Sequence, residues 1–233
     1  MFRWLIRAIR GEFAVSPDIV IGPDSPLNSP FRDLYERLRE KGVKFSPGLS
    51  NSDINNRFGF PIPPDLREFW STVFPVGKRW WDWRDRNWSR RDMAERVADE
   101  LQFNVESGDI WLESWGPRPR HKAEARGVVV EWATKGPFLL PLFGHRFAVC
   151  EPVLPNTPVL SIYGSDWIYY GWNIASWLEQ EFLGRDLFNE QPWPPHQSIG
   201  QWQEVLDFGC PELDEHGNLI APVPELPPTD WLD

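Results

Sequence analysis

Residues 138–182 read "FLLPLFGHRFAVCEPVLPNTPVLSIYGSDWIYYGWNIASWLEQEF", and this stretch decides the fold class. It contains three apolar runs of strand length, at 138–143, 146–151 and 159–163, with a fourth candidate at 167–170. Gly144-His145 predicts a tight turn between the first two. From 173 to 183 the apolar spacing becomes helical, with Asn173 as the N-terminal cap. The stretch therefore predicts a few antiparallel strands followed by a helix.

Amphipathic helices are predicted on both sides of this stretch. Ser50 and Asp53 have the spacing of a capping box, and Ser89 is a further N-cap. Pro63 and Pro64 begin another helix, where a missing N–H costs nothing. Because helices and strands are segregated along the chain, we expect an α+β fold. Its sheet should be mostly antiparallel, have about four to six strands and be wrapped by helices.

The composition divides the 233 residues into three parts. Residues 1–30 predict an N-terminal helix and a Pro-rich linker, residues 31–208 an α+β domain, and residues 209–233 an acidic, Pro-rich tail. The apolar run near the N-terminus is interrupted by Arg7, so it predicts neither a signal peptide nor a membrane span.

The net charge of −10 resides entirely in residues 186–233, which contain ten acidic side chains and no Lys or Arg. An acidic chain of this kind argues against non-specific nucleic-acid binding, because that requires Lys and Arg to replace the counterions of the phosphates. It favours solubility or association with a basic protein.

The two cysteines, Cys150 and Cys210, are too few for the disulfide framework of a secreted domain. We therefore expect a reducing, cytoplasmic location. Cys150 stands in an apolar strand, where burial raises the pKa of a thiol and makes it unreactive.

No motif for catalysis or cofactor binding is found. No glycine pattern matches a phosphate-binding loop, the four histidines are far apart, and Ser165 lacks the second glycine of a nucleophile elbow. The sequence therefore predicts no catalytic residue, no metal and no cofactor. An enzyme using a carboxylate remains an alternative, since Asp109, Glu113 and Asp166 stand among aromatic residues.

The stretch "WWDWRDRNW" at 80–88 contains four tryptophans. On an extended segment Trp81 and Trp83 point to one side, which we expect to be partly exposed, while Trp80 packs into the domain. Such a segment is either a loop lying across the core or a surface for a partner or ligand. The candidate partner-binding residues are Trp81, Asp82, Trp83, Arg84 and Asp166.

The order of motifs resembles the SUKH superfamily, the family of yeast cell-wall-assembly-regulator-like and bacterial toxin-immunity proteins. In "SDINNRFGFPIPPDLREFWSTVFPVG" at 52–77, a short helix ends at Gly59, and the phrase at 62–66 opens the next helix. Residues 138–182 are similar to the second half of that family, with Leu140-Pro141-Leu142 in one strand and Pro158-Val159 beginning another. The resemblance covers about 31–208.

This resemblance implies an α+β fold, no catalytic residues and, for bacterial members, the binding and neutralisation of toxins, often nucleases or deaminases. We therefore expect a cytoplasmic, non-enzymatic immunity protein that binds a protein partner, such as a basic toxin, and occludes its surface. The alternative is a Trp-lined module that binds a sugar, a peptide or a small molecule.

Overall fold

The computed structural model describes residues 31–60, 62–85, 87–190, 193–194 and 197–208. The predicted N-terminal helix and linker at 1–30 and the acidic tail at 209–233 lie outside these residues.

The described chain is α+β, as predicted, with two antiparallel sheets and seven α-helices. The strands are β1 (Lys44–Pro47), β2 (Val73–Val76), β3 (Leu139–Phe143), β4 (Arg146–Val149), β5 (Val159–Tyr163) and β6 (Asp166–Gly171). The helices are α1 (Arg32–Glu40), α2 (Asn51–Arg57), α3 (Pro64–Thr72), α4 (Arg90–Ser107), α5 (Lys122–Lys135), α6 (Ile174–Leu183) and α7 (Gln203–Asp207). Strands β1 and β2 form a small sheet, and β3-β4-β5-β6 form a larger one in chain order.

The larger sheet is buried on both faces, because its strands alternate between two apolar clusters. Phe147, Leu160 and Ile162 point to the cluster formed with α4, α5 and α7. Ala148 and Val159 point to the cluster formed with α1, α2, α3 and α6. The sheet is thus a shared wall between two layers of helices, which explains why its strands read as nearly continuous apolar runs.

Three of the helices begin with reciprocal capping, at Ser50, Ser89 and Asn173. The sequence predicts a capping box at Ser50 and N-caps at the other two positions. At α4, the Ser89 hydroxyl accepts a hydrogen bond from the Asp92 N–H at 3.2 Å, and the Asp92 carboxylate accepts one from the Ser89 N–H at 2.8 Å. This arrangement satisfies two backbone donors that a helix end otherwise leaves without partners.

We expect Ser89→Ala to lower the free energy of unfolding by about 1 kcal/mol, because it removes one half of this capping box. Urea unfolding followed by circular dichroism measures the change. Ser52→Ala, an exposed change inside α2, is the matched control and should stay within about 0.5 kcal/mol of the wild type. Equal effects of the two substitutions would contradict the capping role.

Candidate partner-binding site

The segment 79–81 runs along the outer edge of β3. Trp80 forms an antiparallel bridge with Phe143, and the Trp81 N–H donates to the Leu142 carbonyl at 3.2 Å. The Gly144 N–H donates to the Arg79 carbonyl at 2.8 Å. These bonds hold the first part of the Trp-rich stretch against the sheet.

Trp80 is half-buried and packs into the domain, as predicted. Its ring centroid lies 4.9 Å from that of Phe143, 5.5 Å from that of Phe182 and 5.9 Å from that of Trp177. Trp80 therefore joins the edge of the sheet to α6.

The prediction that Trp83 is partly exposed is wrong, because the side chain is only 1% exposed. Its ring contacts Phe58 at 5.9 Å, Trp70 at 6.5 Å and Trp88 at 4.9 Å. Trp81 and Trp83 do share one side, with rings 5.9 Å apart and nearly parallel. That side faces the core beneath α2 and α3, so only Trp81, at the rim, stays partly exposed.

Asp82 and Arg84 pair with each other. The Arg84 guanidinium donates to both Asp82 carboxylate oxygens at 2.7 Å, and to the Ser46 hydroxyl at 3.1 Å. It also lies 4.9 Å from the centre of the Phe74 ring. The hydrogen bond from Arg84 lowers the pKa of Asp82. The pair therefore fixes the turn that carries Trp83 inward, and its charges are largely neutralised there.

Asp166 is exposed but does not join Trp81 and Trp83 in one pocket. It begins β6, at the opposite edge of the sheet from the segment 79–81. Four strand spacings, from this segment through β3, β4 and β5 to β6, separate the two by about 19 Å. The predicted cluster of tryptophans and an acid is therefore not formed. A role for these residues in partner binding stays a prediction.

Asp166 and Trp81 nevertheless belong to the same end of the sheet, where both hairpins turn. The Trp81 indole N–H donates to the Gly144 carbonyl at 3.3 Å, and the Arg96 guanidinium lies 4.7 Å from the centre of the Trp81 ring. The rings of His145 and Tyr163 are 5.7 Å apart. We call this end the turn surface, and it consists of Trp81, Arg96, Phe103, His145, Tyr163 and Asp166.

Helix α4 is attached to the turn surface through Asn104. Its side-chain oxygen accepts a hydrogen bond from the Ser165 N–H at 3.1 Å. The neighbouring Gly164 has φ +58°, and a Cβ there would lie 2.2 Å from the same oxygen, so the close approach requires glycine. Phe103 and Tyr163, next to these contacts in the chain, are 75% and 71% exposed. Two large aromatic side chains next to this contact in the chain thus stand in solvent.

His145 is the titratable group at the centre of the turn surface. Burial lowers its pKa, and the nearby Arg146 and Arg79 lower it further. The imidazole is therefore neutral at physiological pH. The turn surface presents aromatic rings with few net charges.

The candidate catalytic groups of the sequence differ in their exposure. Cys150 is fully buried, and burial raises the pKa of its thiol, as predicted. Asp109, Glu113 and Asp166 are all exposed. Within the described ranges, no three His, Cys, Asp or Glu side chains are grouped to hold a metal ion.

Two small cavities of about 10 Å³ each lie on α4 in the described domain. Each has room for about one water molecule, and neither is lined by Trp81 or Trp83. Neither cavity fits a Trp-lined ligand site.

Sequence reasoning missed Arg96, Phe103, His145 and Tyr163 as members of the site. A signal for Phe103 was present, because it falls off the face of α4 that Val97 and Leu101 bury.

No protein-family model, curated protein or solved structure matches this chain. Of the helices in the described part of the chain, none combines the length and the apolar character that crossing a membrane requires.

Proposed function

We propose that this chain is a non-enzymatic, cytoplasmic protein-binding domain, an immunity protein that neutralises a partner toxin by covering its surface. The observation that carries the proposal is the turn surface. Phe103 and Tyr163 are more than two-thirds exposed there, in a domain that buries most of its other large rings. Aromatic side chains on a rigid surface are the usual anchors of protein interfaces.

The extent of the turn surface favours a protein over a small ligand. It runs from Trp81, on the segment outside β3, to Asp166 on β6, a width of four strand spacings or about 19 Å. It also includes Arg96 and Phe103 on α4. A protein interface buries about 800 Å² on each partner, and a broad surface of this kind can contribute to such an area.

The charge of the chain supports a basic partner. Ten acidic side chains without Lys or Arg occupy residues 186–233. Opposite charges raise the rate at which two proteins associate, whereas packed aromatic anchors slow their dissociation. The order of motifs resembling the SUKH superfamily supports a toxin as the basic partner.

Co-expression tests the proposal. A toxin encoded beside the gene for this chain should stop growth when expressed alone and should be tolerated when this chain is present. The two proteins should also co-purify. If no neighbouring gene encodes a toxin, or if the two proteins neither bind nor rescue growth, the proposal fails.

In the same complex we expect the double variant Phe103→Ala/Tyr163→Ala to raise Kd by at least about tenfold, because it removes both exposed anchors. Isothermal titration calorimetry measures the affinity. The melting temperature should stay near that of the wild type, since neither ring contributes to the core.

The matched control is Val153→Ala/Leu154→Ala. These side chains are also exposed and apolar, 40% and 47%, but they stand in the loop at the opposite end of the sheet. Their double variant should bind as the wild type does. Equal losses in the two double variants would show that the turn surface is not the interface.

A further inference from the structure

Four exposed cationic side chains stand on the chain segments that flank the small sheet. Arg39 lies in the last turn of α1, Lys41 follows that helix, Lys44 begins β1, and Lys78 follows β2. We call this set the cationic surface: Arg39, Lys41, Lys44 and Lys78. The neighbouring Arg79 is not part of it, because its guanidinium lies 4.5 Å from the centre of the Phe143 ring in the larger sheet.

Backbone geometry brings these residues together. The Gly42 N–H donates to the Arg39 carbonyl at 2.9 Å, which turns the chain from α1 into β1. Lys44 is the register partner of Val76 in the antiparallel pair, and Lys78 follows only two residues later. The Cα atoms of Lys44 and Lys78 are therefore within about 12 Å of each other.

None of the four makes an ion pair with another described residue. Other cations of the same region do, such as Arg37 with Glu179 and Arg84 with Asp82. Glu40 is the one acid within the two segments 39–44 and 76–79. Close, unpaired charges of one sign repel each other, so this surface is stabilised by binding an anionic group.

We propose that the acidic C-terminal segment, residues 209–233 of this same chain, docks on the cationic surface. The segment has six acidic side chains and no Lys or Arg, so its charge is complementary to that surface. Its 25 residues reach up to about 80 Å from Phe208, whereas a domain of this size is about 40 Å across. The segment is therefore long enough to reach the cationic surface.

Apolar side chains accompany the charges on both sides of this contact. The partly buried Val43, Phe45 and Val76 are close in the chain to the cationic surface, and the Arg39 guanidinium lies 5.5 Å from the centre of the Phe45 ring. The segment contains Trp231 and Leu232. Contacts between these groups would add to the electrostatic attraction. Salt screens the electrostatic part of the contact but not the apolar part.

Docking gives the segment a regulatory role that goes beyond the proposed function. While it is docked, its acidic groups are occupied by the chain itself. A basic partner must displace the cationic surface before it can bind these acidic groups. Binding of the segment is therefore selective for partners of high positive charge.

The experiment uses the full-length chain, with Cys210→Ser and a fluorophore on Asp233→Cys. Cys150 is fully buried, so labelling is confined to the C-terminus. Fluorescence anisotropy then reports how freely the end of the segment moves. We expect the anisotropy to fall when NaCl is raised from 50 to 500 mM, and to be independent of protein concentration because the contact is within one chain.

The double variant Lys44→Glu/Lys78→Glu should lower the ratio of docked to undocked segment by roughly tenfold at 50 mM NaCl, and so give the high-salt anisotropy. The control, Arg120→Glu/Lys135→Glu, reverses two exposed charges at the ends of α5 and should leave the anisotropy unchanged. Circular dichroism checks that both variants remain folded.

Three results would overturn the proposal. The first is an anisotropy in Lys44→Glu/Lys78→Glu equal to that of the wild type. If neutralising Arg3, Arg7 and Arg10 lowers the anisotropy instead, the segment docks on the N-terminal residues and not on the cationic surface. The second is an equal loss in both double variants. The third is an anisotropy that rises with concentration, because the occupant is then the segment of a second copy.

Discussion

Trp83→Ala is expected to lower the free energy of unfolding by about 3–5 kcal/mol, the cost of removing a large buried aromatic side chain. Trp83 is 1% exposed and contacts the rings of Phe58, Trp70, Trp81 and Trp88. Because a whole domain is stable by only about 5–15 kcal/mol, the variant should unfold at much lower urea concentration. Urea unfolding followed by far-UV circular dichroism measures the loss.

Trp81→Ala is the matched comparison, because Trp81 is two residues before Trp83 and lies on the same side of the segment. Its ring is partly exposed and makes one ring–ring contact, with Trp83, and one cation–π contact, with Arg96. We expect less than half of the loss seen for Trp83→Ala. If the two variants lose the same stability, the division of this stretch into a buried anchor and a rim residue is incorrect.

Glu181→Ala is expected to lower the free energy of unfolding by about 2–4 kcal/mol, because it leaves the charge of Arg146 without its counterion. The two side chains are only 10% and 11% exposed, and the Arg146 Nε donates to Glu181 at 2.9 Å. Arg146 also donates to the Ser161 hydroxyl at 2.7 Å and lies 3.7 Å from the centre of the Tyr170 ring. The pair thus joins three strands of the larger sheet to α6.

The double variant Arg146→Met/Glu181→Met distinguishes two causes of lower stability: the loss of the ion pair and the burial of an unpaired charge. Apolar side chains of similar size often replace a buried ion pair at little cost. The double variant should therefore be more stable than Glu181→Ala, and chemical denaturation of both measures this difference. A double variant that is less stable than Glu181→Ala would mean that the pair contributes far more than its charges.

Local signals in the sequence were sufficient to predict most of the larger sheet and the helices. The turn at Gly144-His145, the caps at Ser50 and Ser89 and the strand runs each depend on neighbouring residues, and the structure has them close to the predicted bounds. Strands β1 and β2 were not predicted. They have four residues each, contain Pro47 and Pro75, and pair across about 25 residues, so their pairing depends on the packed domain.

The site was less predictable than the fold. Which side of a segment faces water depends on the other elements that pack against that segment. The alternation that places Trp81 and Trp83 together was correct, but which side faces the core could not be read from the segment alone. The turn surface combines residues from α4, both hairpins and the segment after β2. No local pattern predicts that these four parts meet.

The bridge between Trp80 and Phe143 also bears on aggregation. Strand β3 reads Leu-Leu-Pro-Leu-Phe, is buried throughout and forms one edge of its sheet. An apolar edge strand with free backbone groups is a template on which other chains assemble into fibrils. The segment 79–81 occupies those groups next to Leu142 and Gly144, and Pro141 withholds a donor in the middle of the strand. The Trp-rich stretch thus protects this protein from pairing with copies of itself, and even brief detachment of the stretch would uncover the edge that is most prone to assembly.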